Sequence, residues 1–164
     1  MFLKRSLILA ALVGVSACDP QSPARDGPKV TTTPQPTTHR VQVRFEFESA
    51  ELGSDGRKLL DELARQLLAA DLEKLTATAH ADRIGTVAYN EDLAERRAEA
   101  IRDYLLEKGV AEELVHIQSK GAHQPVTNGR CEGMGPENKQ NAKLIACLGP
   151  ERHAEIEVRA REAR

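Results

Sequence analysis

The sequence has 164 residues, which is enough for one domain of ordinary size with short appendages. Hydrophobic residues make up 40% and charged residues 29% of the chain, as is usual for a globular protein. A net charge of -2, an aromatic content of 3% and the lack of Trp exclude nucleic acid as a partner, because phosphate binding needs a basic surface and base stacking needs exposed rings.

The N-terminus has the pattern of a secretory signal peptide. Lys4 and Arg5 precede an apolar run from Leu7 to Val15, which is shorter than the roughly 20 residues needed to span a bilayer. This pattern predicts a signal peptide over residues 1–17. The end of the run, VSAC, resembles the bacterial lipobox, and that resemblance implies that Cys18 becomes the lipid-carrying first residue of the mature protein. The alternative is an ordinary signal in which Cys18 occurs by chance.

A linker follows the predicted lipid attachment site. Residues 18–39 contain five prolines interleaved with Ser and Thr. Such a segment cannot bury enough apolar surface to fold, so we expect a disordered tether with a reach of roughly 65 Å.

The folded domain is predicted over residues 40–164 from the spacing of its apolar residues. Alternating apolar positions predict strands, and leucines at helical spacing predict helices. Thr86 is a predicted N-cap and Gly109 a predicted C′ residue. The predicted elements are, in chain order, a strand over 41–47, a helix from 54 to about 68, a strand over 75–81, a helix over 86–108, a strand over 114–119 and a strand around 154–158. This order, βαβαββ, predicts a two-layer α/β (α+β) sandwich with helices on one face of a mixed sheet.

The three cysteines fit one lipid attachment and one disulfide. If Cys18 carries lipid, Cys131 and Cys147 remain as a pair in a Gly-, Pro- and Asn-rich excursion after the third strand. In an oxidising compartment they are predicted to form a disulfide that closes a loop of about 17 residues. A metal site is the alternative, but it lacks further clustered Cys.

One charged residue interrupts an apolar helix stripe. Arg97 lies among Leu93, Ile101 and Leu105, and a guanidinium that faces a core must find a partner. Asp82, in the loop before this helix, is the predicted partner. The pair could be a local salt bridge that closes the turn, or a clamp for a ligand that carries both an ammonium and a carboxylate group.

Two interpretations of the chain as an enzyme have less support in the sequence than the ligand clamp. His80 and Asp82 could begin a metal site with His116 or His123, but three or four convergent ligands would be needed, and a surface His is the commoner outcome. Paired glutamates on the first and last strands could act as glycosidase carboxylates, yet their alternation is that of solvated sheet faces. We therefore predict no enzyme activity, no metal and no cofactor.

Several motifs resemble the signature of OmpA-like C-terminal domains. They are ADRIG at 81–85, YN at 89–90, LAERRA at 93–98, FEFE at 45–48, the Gly121-Ala122 turn, the two paired cysteines and ERHAEI at 151–156. The resemblance covers about residues 40–162. The lipid anchor and linker resemble those of peptidoglycan-associated lipoproteins.

The resemblance implies non-covalent binding of peptidoglycan at the diaminopimelate of its peptide stem. By position, Asp82 then faces the ligand's amine and Arg97 its carboxylate. Asn90 and Arg152 are carried over as supporting contacts.

Three positions depart from the family pattern. Ala81 stands where Thr is usual, His153 replaces the second Arg of a tandem pair, and Glu48 replaces the commoner Asp. These departures imply weaker binding or a dependence on pH.

The resemblance also implies a location and leaves one alternative function. It predicts a lipid-anchored protein of the outer membrane with its domain in the periplasm, although Asp19 directly after Cys18 resembles an inner-membrane retention signal. The alternative is an adaptor that contacts other envelope proteins without using Asp82 and Arg97.

Overall fold

The computed structural model describes residues 37–161. The predicted signal peptide, the lipid attachment at Cys18, Asp19 and the linker up to residue 36 lie outside the described residues. None of the helices within the described range is both long and apolar enough to cross a membrane.

Four strands and three helices form a two-layer mixed α/β structure, which confirms the predicted fold class. Short 3-10 turns lie at Glu112–Leu114 and Gly149–Glu151. The elements are, in chain order, β1 (Thr37–Arg44), α1 (Ser54–Ala69), β2 (Asp71–Ala79), α2 (Val87–Glu107), β3 (Val115–Ser119), α3 (Ala142–Cys147) and β4 (His153–Arg161).

The last strand occupies the inside of the sheet. The strand order is β1-β4-β2-β3, and β4 runs antiparallel to both β1 and β2. Ile156 of β4 lies opposite Val41 on one side and Ala77 on the other. Strands β2 and β3 are parallel and are joined through α2, as a parallel pair requires a crossover connection.

Helices α1 and α2 bury their apolar stripes against one face of this sheet. Leu60 of α1 and Ile101 and Leu105 of α2 share one buried cluster with Leu75 and Ile156 of the sheet. The opposite face is polar, with Arg40 of β1 paired to glutamates of β4. The period-two alternation of β4 therefore separates core from solvent, as its sequence predicted.

The predicted ends of α2 are confirmed. The Thr86 side chain accepts a hydrogen bond from the Tyr89 N–H at 3.1 Å, which satisfies a free donor of the first turn. After the helix, Gly109 has φ +92, a left-handed conformation that glycine adopts without steric cost.

The predicted bounds of β1 are wrong. The strand spans Thr37–Arg44 rather than 41–47, so it begins inside the predicted linker, and Phe45 follows it. The reason is that β4 extends to Arg161, and backbone pairing continues from Val41 back to Thr37, which lies opposite Ala160. Apolar alternation could not show this, because side chains from Thr37 to Arg40 are exposed.

Helix α3 was not predicted. It lies inside the excursion between β3 and β4, where Gly, Pro and Asn residues favoured loop structure. The Asn141 side chain caps it by accepting from the Leu144 N–H at 3.1 Å, and Leu144 is buried. At six residues, this helix depends on tertiary contacts rather than on helical propensity.

Candidate functional site

The predicted site residues surround the loop that leaves the end of β2, residues 80–86. The His80 N–H donates to the carbonyl of His153 at 2.8 Å, which extends the pairing of β2 with β4. The Ala81 N–H donates to the carbonyl of Gly121 at 2.8 Å, in the turn after β3. These two bonds hold the loop at one end of the sheet.

Asp82 is buried in this loop, and both of its carboxylate oxygens have partners. Oδ1 accepts from the Ile84 N–H at 3.0 Å, which closes a local turn. Oδ2 accepts from Nη1 of Arg152 at 3.0 Å. The Asp82 residue is only 4% exposed, and Arg152 is the cation that is hydrogen-bonded to it.

Arg97 is fully buried, which confirms that it faces the interior. Its partners are three backbone carbonyls rather than the predicted Asp82. Nε donates to Ser49 O at 2.8 Å, Nη1 to His80 O at 2.8 Å and Nη2 to Glu46 O at 3.0 Å. The guanidinium carbon also lies 5.1 Å from the centre of the Phe45 ring, within cation–π range.

Asp82 and Arg97 interact by charge, although no direct hydrogen bond joins these two described side chains. Burial lowers the pKa of Arg97 to about 10, because removal from water disfavours the charged guanidinium. The Asp82 carboxylate raises this pKa, whereas the positive charge of Arg152 lowers it. The two arginines and Asp82 therefore form one buried charge cluster.

Arg152 connects this cluster to helix α3. Besides Asp82, its Nη1 donates to the carbonyl of Ile145 at 2.9 Å. Its Nε is buried and has no hydrogen-bond partner among the described residues. Its guanidinium carbon lies 5.9 Å from the Phe47 ring centre.

Asn90 is also buried, in the first turns of α2 next to Gly85. A Cβ placed on Gly85 would lie 3.5 Å from Oδ1 of Asn90 and 3.0 Å from the ring of Tyr89. Gly85 also has φ +115, so glycine meets both a conformational and a spatial need here. The four predicted ligand-binding residues thus meet around one loop.

Two histidines beside the cluster were not expected to be buried. The rings of His80 and His153 stack with centroids 4.6 Å apart and an interplanar angle of 13°. Burial, followed by the charges of His153 and Lys120, lowers the pKa of His80 to about 4, and burial also lowers that of His153. Among residues 37–161, no three His, Cys, Asp or Glu side chains converge to hold a metal.

The structure joins Cys131 and Cys147 in a disulfide with Cα atoms 5.8 Å apart. Arg83 contacts this region: its Nη2 donates to the carbonyl of Cys131 at 2.9 Å, and its Nε to Glu137 at 2.5 Å. No role was predicted for Arg83 from the sequence. Its position directly after Asp82 in the sequence could have indicated a role at this site.

A family model described as "OmpA family" matches residues 44–139, which is more than half of the chain. The chain belongs to the OmpA family. The matched region includes Asp82, Asn90 and Arg97, whereas Arg152 and β4 follow it.

Relatives within this family share the sequence over most of the described domain. Outer membrane protein A of Escherichia fergusonii is 39% identical over 124 residues, which cover 74% of this chain and 49% of the relative. The chain therefore spans about half the length of that protein.

Solved OmpA-like structures share the fold. The peptidoglycan-associated lipoprotein from Burkholderia pseudomallei aligns with a TM-score of 0.58 and 26% identity, covering 72% of this chain and 88% of that one. The cell wall anchor of the T6SS from Pseudomonas aeruginosa aligns with a TM-score of 0.54 and 24% identity, covering 75% and 82%. The second likeness concerns the fold alone.

Proposed function

We propose that this OmpA-family protein binds peptidoglycan non-covalently through the diaminopimelate residue of the peptide stem, without cutting the polymer. A lipid on Cys18 and the linker of residues 18–39 would tether the domain, so that binding ties the outer membrane to the cell wall. Family membership and the 26% identity to a peptidoglycan-associated lipoprotein support this proposal.

Two buried guanidinium groups, of Arg97 and Arg152, and the buried carboxylate of Asp82 around one loop carry the proposal. The Asp82 carboxylate raises the pKa of Arg97, and the neighbouring Arg152 guanidinium lowers it. A ligand carboxylate would supply negative charge to the two buried guanidinium groups, and its neighbouring ammonium would be attracted to Asp82. The free end of a diaminopimelate side chain carries both groups on one carbon atom.

The four site residues have distinct roles in this proposal. Asp82 binds the ammonium group, and Arg97 binds the carboxylate with N–H groups that its three carbonyl contacts leave free, since a guanidinium has five. Arg152 offers the unpartnered Nε–H, and Asn90 offers its amide at the start of α2.

Ligand access requires a local movement. Arg97 is fully covered, and two of the carbonyls that cover it belong to the turn of residues 46–49. A carboxylate reaches the guanidinium when this turn moves outward. The left-handed backbone of Glu48, with φ +53, lies within the turn.

Sedimentation with purified sacculi tests the proposal. Asp82→Asn removes the negative charge with little change in shape, and we expect roughly tenfold or greater weakening, because a charge-assisted contact contributes about 1.5–3 kcal/mol. Asp92→Asn is the matched control, since Asp92 lies on α2 in an exposed pair with Arg96. Free diaminopimelate should release the wild-type protein from the sacculi.

Each other outcome has a definite meaning. Equal pelleting of Asp82→Asn and wild type contradicts the assigned site. A folded wild-type protein that stays in the supernatant favours the adaptor function. Release of soluble sugar or peptide fragments contradicts the proposal that the polymer is left uncut.

A further inference from the structure

The excursion between β3 and β4 has a small core of its own. We call residues 120–148 the cystine segment, because the Cys131–Cys147 disulfide closes a loop within them. Its buried hydrophobic members, Cys131, Leu144 and Leu148, form a cluster separate from the main core. The fourth buried member of that cluster, Ile84, comes from the loop that carries Asp82.

Consecutive residues of this loop are attached to the cystine segment in three ways. Asp82 is attached through Arg152, whose Nη1 donates both to Asp82 and to the carbonyl of Ile145 in α3. Arg83 is attached directly, because its Nη2 donates to the carbonyl of Cys131. Ile84 is attached by apolar contact and also fixes Oδ1 of Asp82 through its N–H.

We infer that the cystine segment positions the Asp82 carboxylate for the ligand ammonium, with Arg152 as the positioning residue that connects them. This inference rests on the proposed diaminopimelate site. A carboxylate oxygen must be held within about half an ångström of its working position to keep a charge-assisted hydrogen bond. Arg152 therefore affects affinity through the position that it gives Asp82, in addition to the Nε–H that it offers the ligand.

The disulfide fixes the two attachment points relative to each other. Cys131 supplies the carbonyl that receives Arg83, and Cys147 ends α3 two residues after Ile145, which receives Arg152. Opening the cross-link frees these carbonyls to move apart. The Asp82 side chain then loses its fixed orientation while the main core keeps its own contacts.

A double-mutant cycle tests this connection in the full chain. The disulfide is removed by Cys131→Ala/Cys147→Ala, once in the wild-type background and once in the Asp82→Asn background. Affinity for peptidoglycan is measured by sedimentation with sacculi and by competition with free diaminopimelate. We expect the open segment to weaken binding about fivefold to tenfold with Asp82 present, and to cause no further loss with Asp82→Asn, because coupled groups are not additive. Equal losses in both backgrounds, or no loss in either, overturn the inference.

A second variant avoids any change to the disulfide. Arg83→Met removes the contact with the Cys131 carbonyl and should weaken peptidoglycan binding severalfold. Arg130→Met is the control and should leave binding unchanged, since Arg130 is exposed and donates to Thr127 within the cystine segment. Thermal unfolding of each variant checks that the sheet stays folded. Wild type that fails to bind contradicts the proposed function, whereas Arg83→Met that binds like wild type contradicts this inference alone.

Discussion

Nη1 of Arg152 donates to Oδ2 of Asp82 at 3.0 Å, although 70 residues separate the two in the sequence. Their side chains are 10% and 5% exposed, so the pair is an ion pair removed from water. Desolvation offsets much of the attraction in such a pair, but loss of one partner leaves an uncompensated buried charge. The loop after β2 is therefore tied to the start of β4.

Arg152→Met should lower the free energy of unfolding by about 3 kcal/mol, because it leaves the Asp82 carboxylate buried without its cation. Adding Asp82→Asn should recover part of that loss, since neither charge then remains. Denaturant unfolding of both variants measures the difference. A double variant less stable than Arg152→Met would contradict this account.

Arg97→Met should destabilise the domain by about 3–5 kcal/mol, because it removes the donor to the carbonyls of Ser49 and His80 and one of the two donors to the carbonyl of Glu46. Arg96→Met is the control on the same helix, and its exposed side chain predicts a change within about 0.5 kcal/mol. Chemical denaturation compares the two. Similar stabilities would show that the carbonyl contacts contribute little.

Glu48→Asn should raise the free energy of unfolding by about 0.5–1 kcal/mol, because Asn tolerates the left-handed conformation that Glu48 adopts at φ +53. The exposed Glu51, which is not left-handed, provides the control Glu51→Asn, with no gain expected. Thermal and denaturant unfolding give the comparison. A gain at both positions would point to charge rather than backbone strain.

The stacked histidines predict loss of stability in mild acid. The pKa of His80 is about 4 in the folded protein and 6.5 ordinarily, so the unfolded chain binds the proton first as the pH falls. The contribution of neutral His80 to the free energy of unfolding is fully present above about pH 6.5 and is lost as the pH falls towards about 4. The lowered pKa of His153 acts in the same direction.

His80→Phe keeps a ring beside His153 but cannot be protonated. We expect wild type to lose on the order of 1–2 kcal/mol between pH 7 and pH 5 through His80, and His80→Phe to lose correspondingly less. His116→Gln, at an exposed position of β3, serves as the control. Denaturant unfolding curves at pH 7 and pH 5 measure the loss of stability for each variant. If His80→Phe loses as much stability as wild type, protonation of His80 is not the cause.

Local patterns were sufficient for several elements. Thr86 and Gly109 were recognised as the ends of α2 because capping depends on neighbouring backbone groups, and both are confirmed. Arg97 was recognised as an inward-facing charge because helical spacing fixes which residues share a face, and its burial is confirmed.

Partners distant in sequence were less predictable. Asp82 was expected beside Arg97, yet its hydrogen-bonded cation is Arg152, because the direction of a side chain at a strand end depends on which strand lies alongside. His80 was expected at the surface, but the neighbouring β4 brings His153 against it. The binding of diaminopimelate by Asp82, Arg97, Asn90 and Arg152 stays a prediction.

The sequence by itself determined the order of the main helices and strands and the inward face of each, since these follow from periodicity, capping and chain connectivity. Its resemblance to OmpA-like domains, rather than these patterns, indicated that Asn90 and Arg152 belong with Asp82 and Arg97. Only the tertiary structure decided that β4 lies between β1 and β2. With β4 in that position, Arg152 is hydrogen-bonded to Asp82, and Arg97 donates to backbone carbonyls instead. Arg152 also contacts the cystine segment at the carbonyl of Ile145. The physical reason is that hydrogen-bond partners far apart in sequence are chosen by packing of the whole chain, which no local pattern encodes.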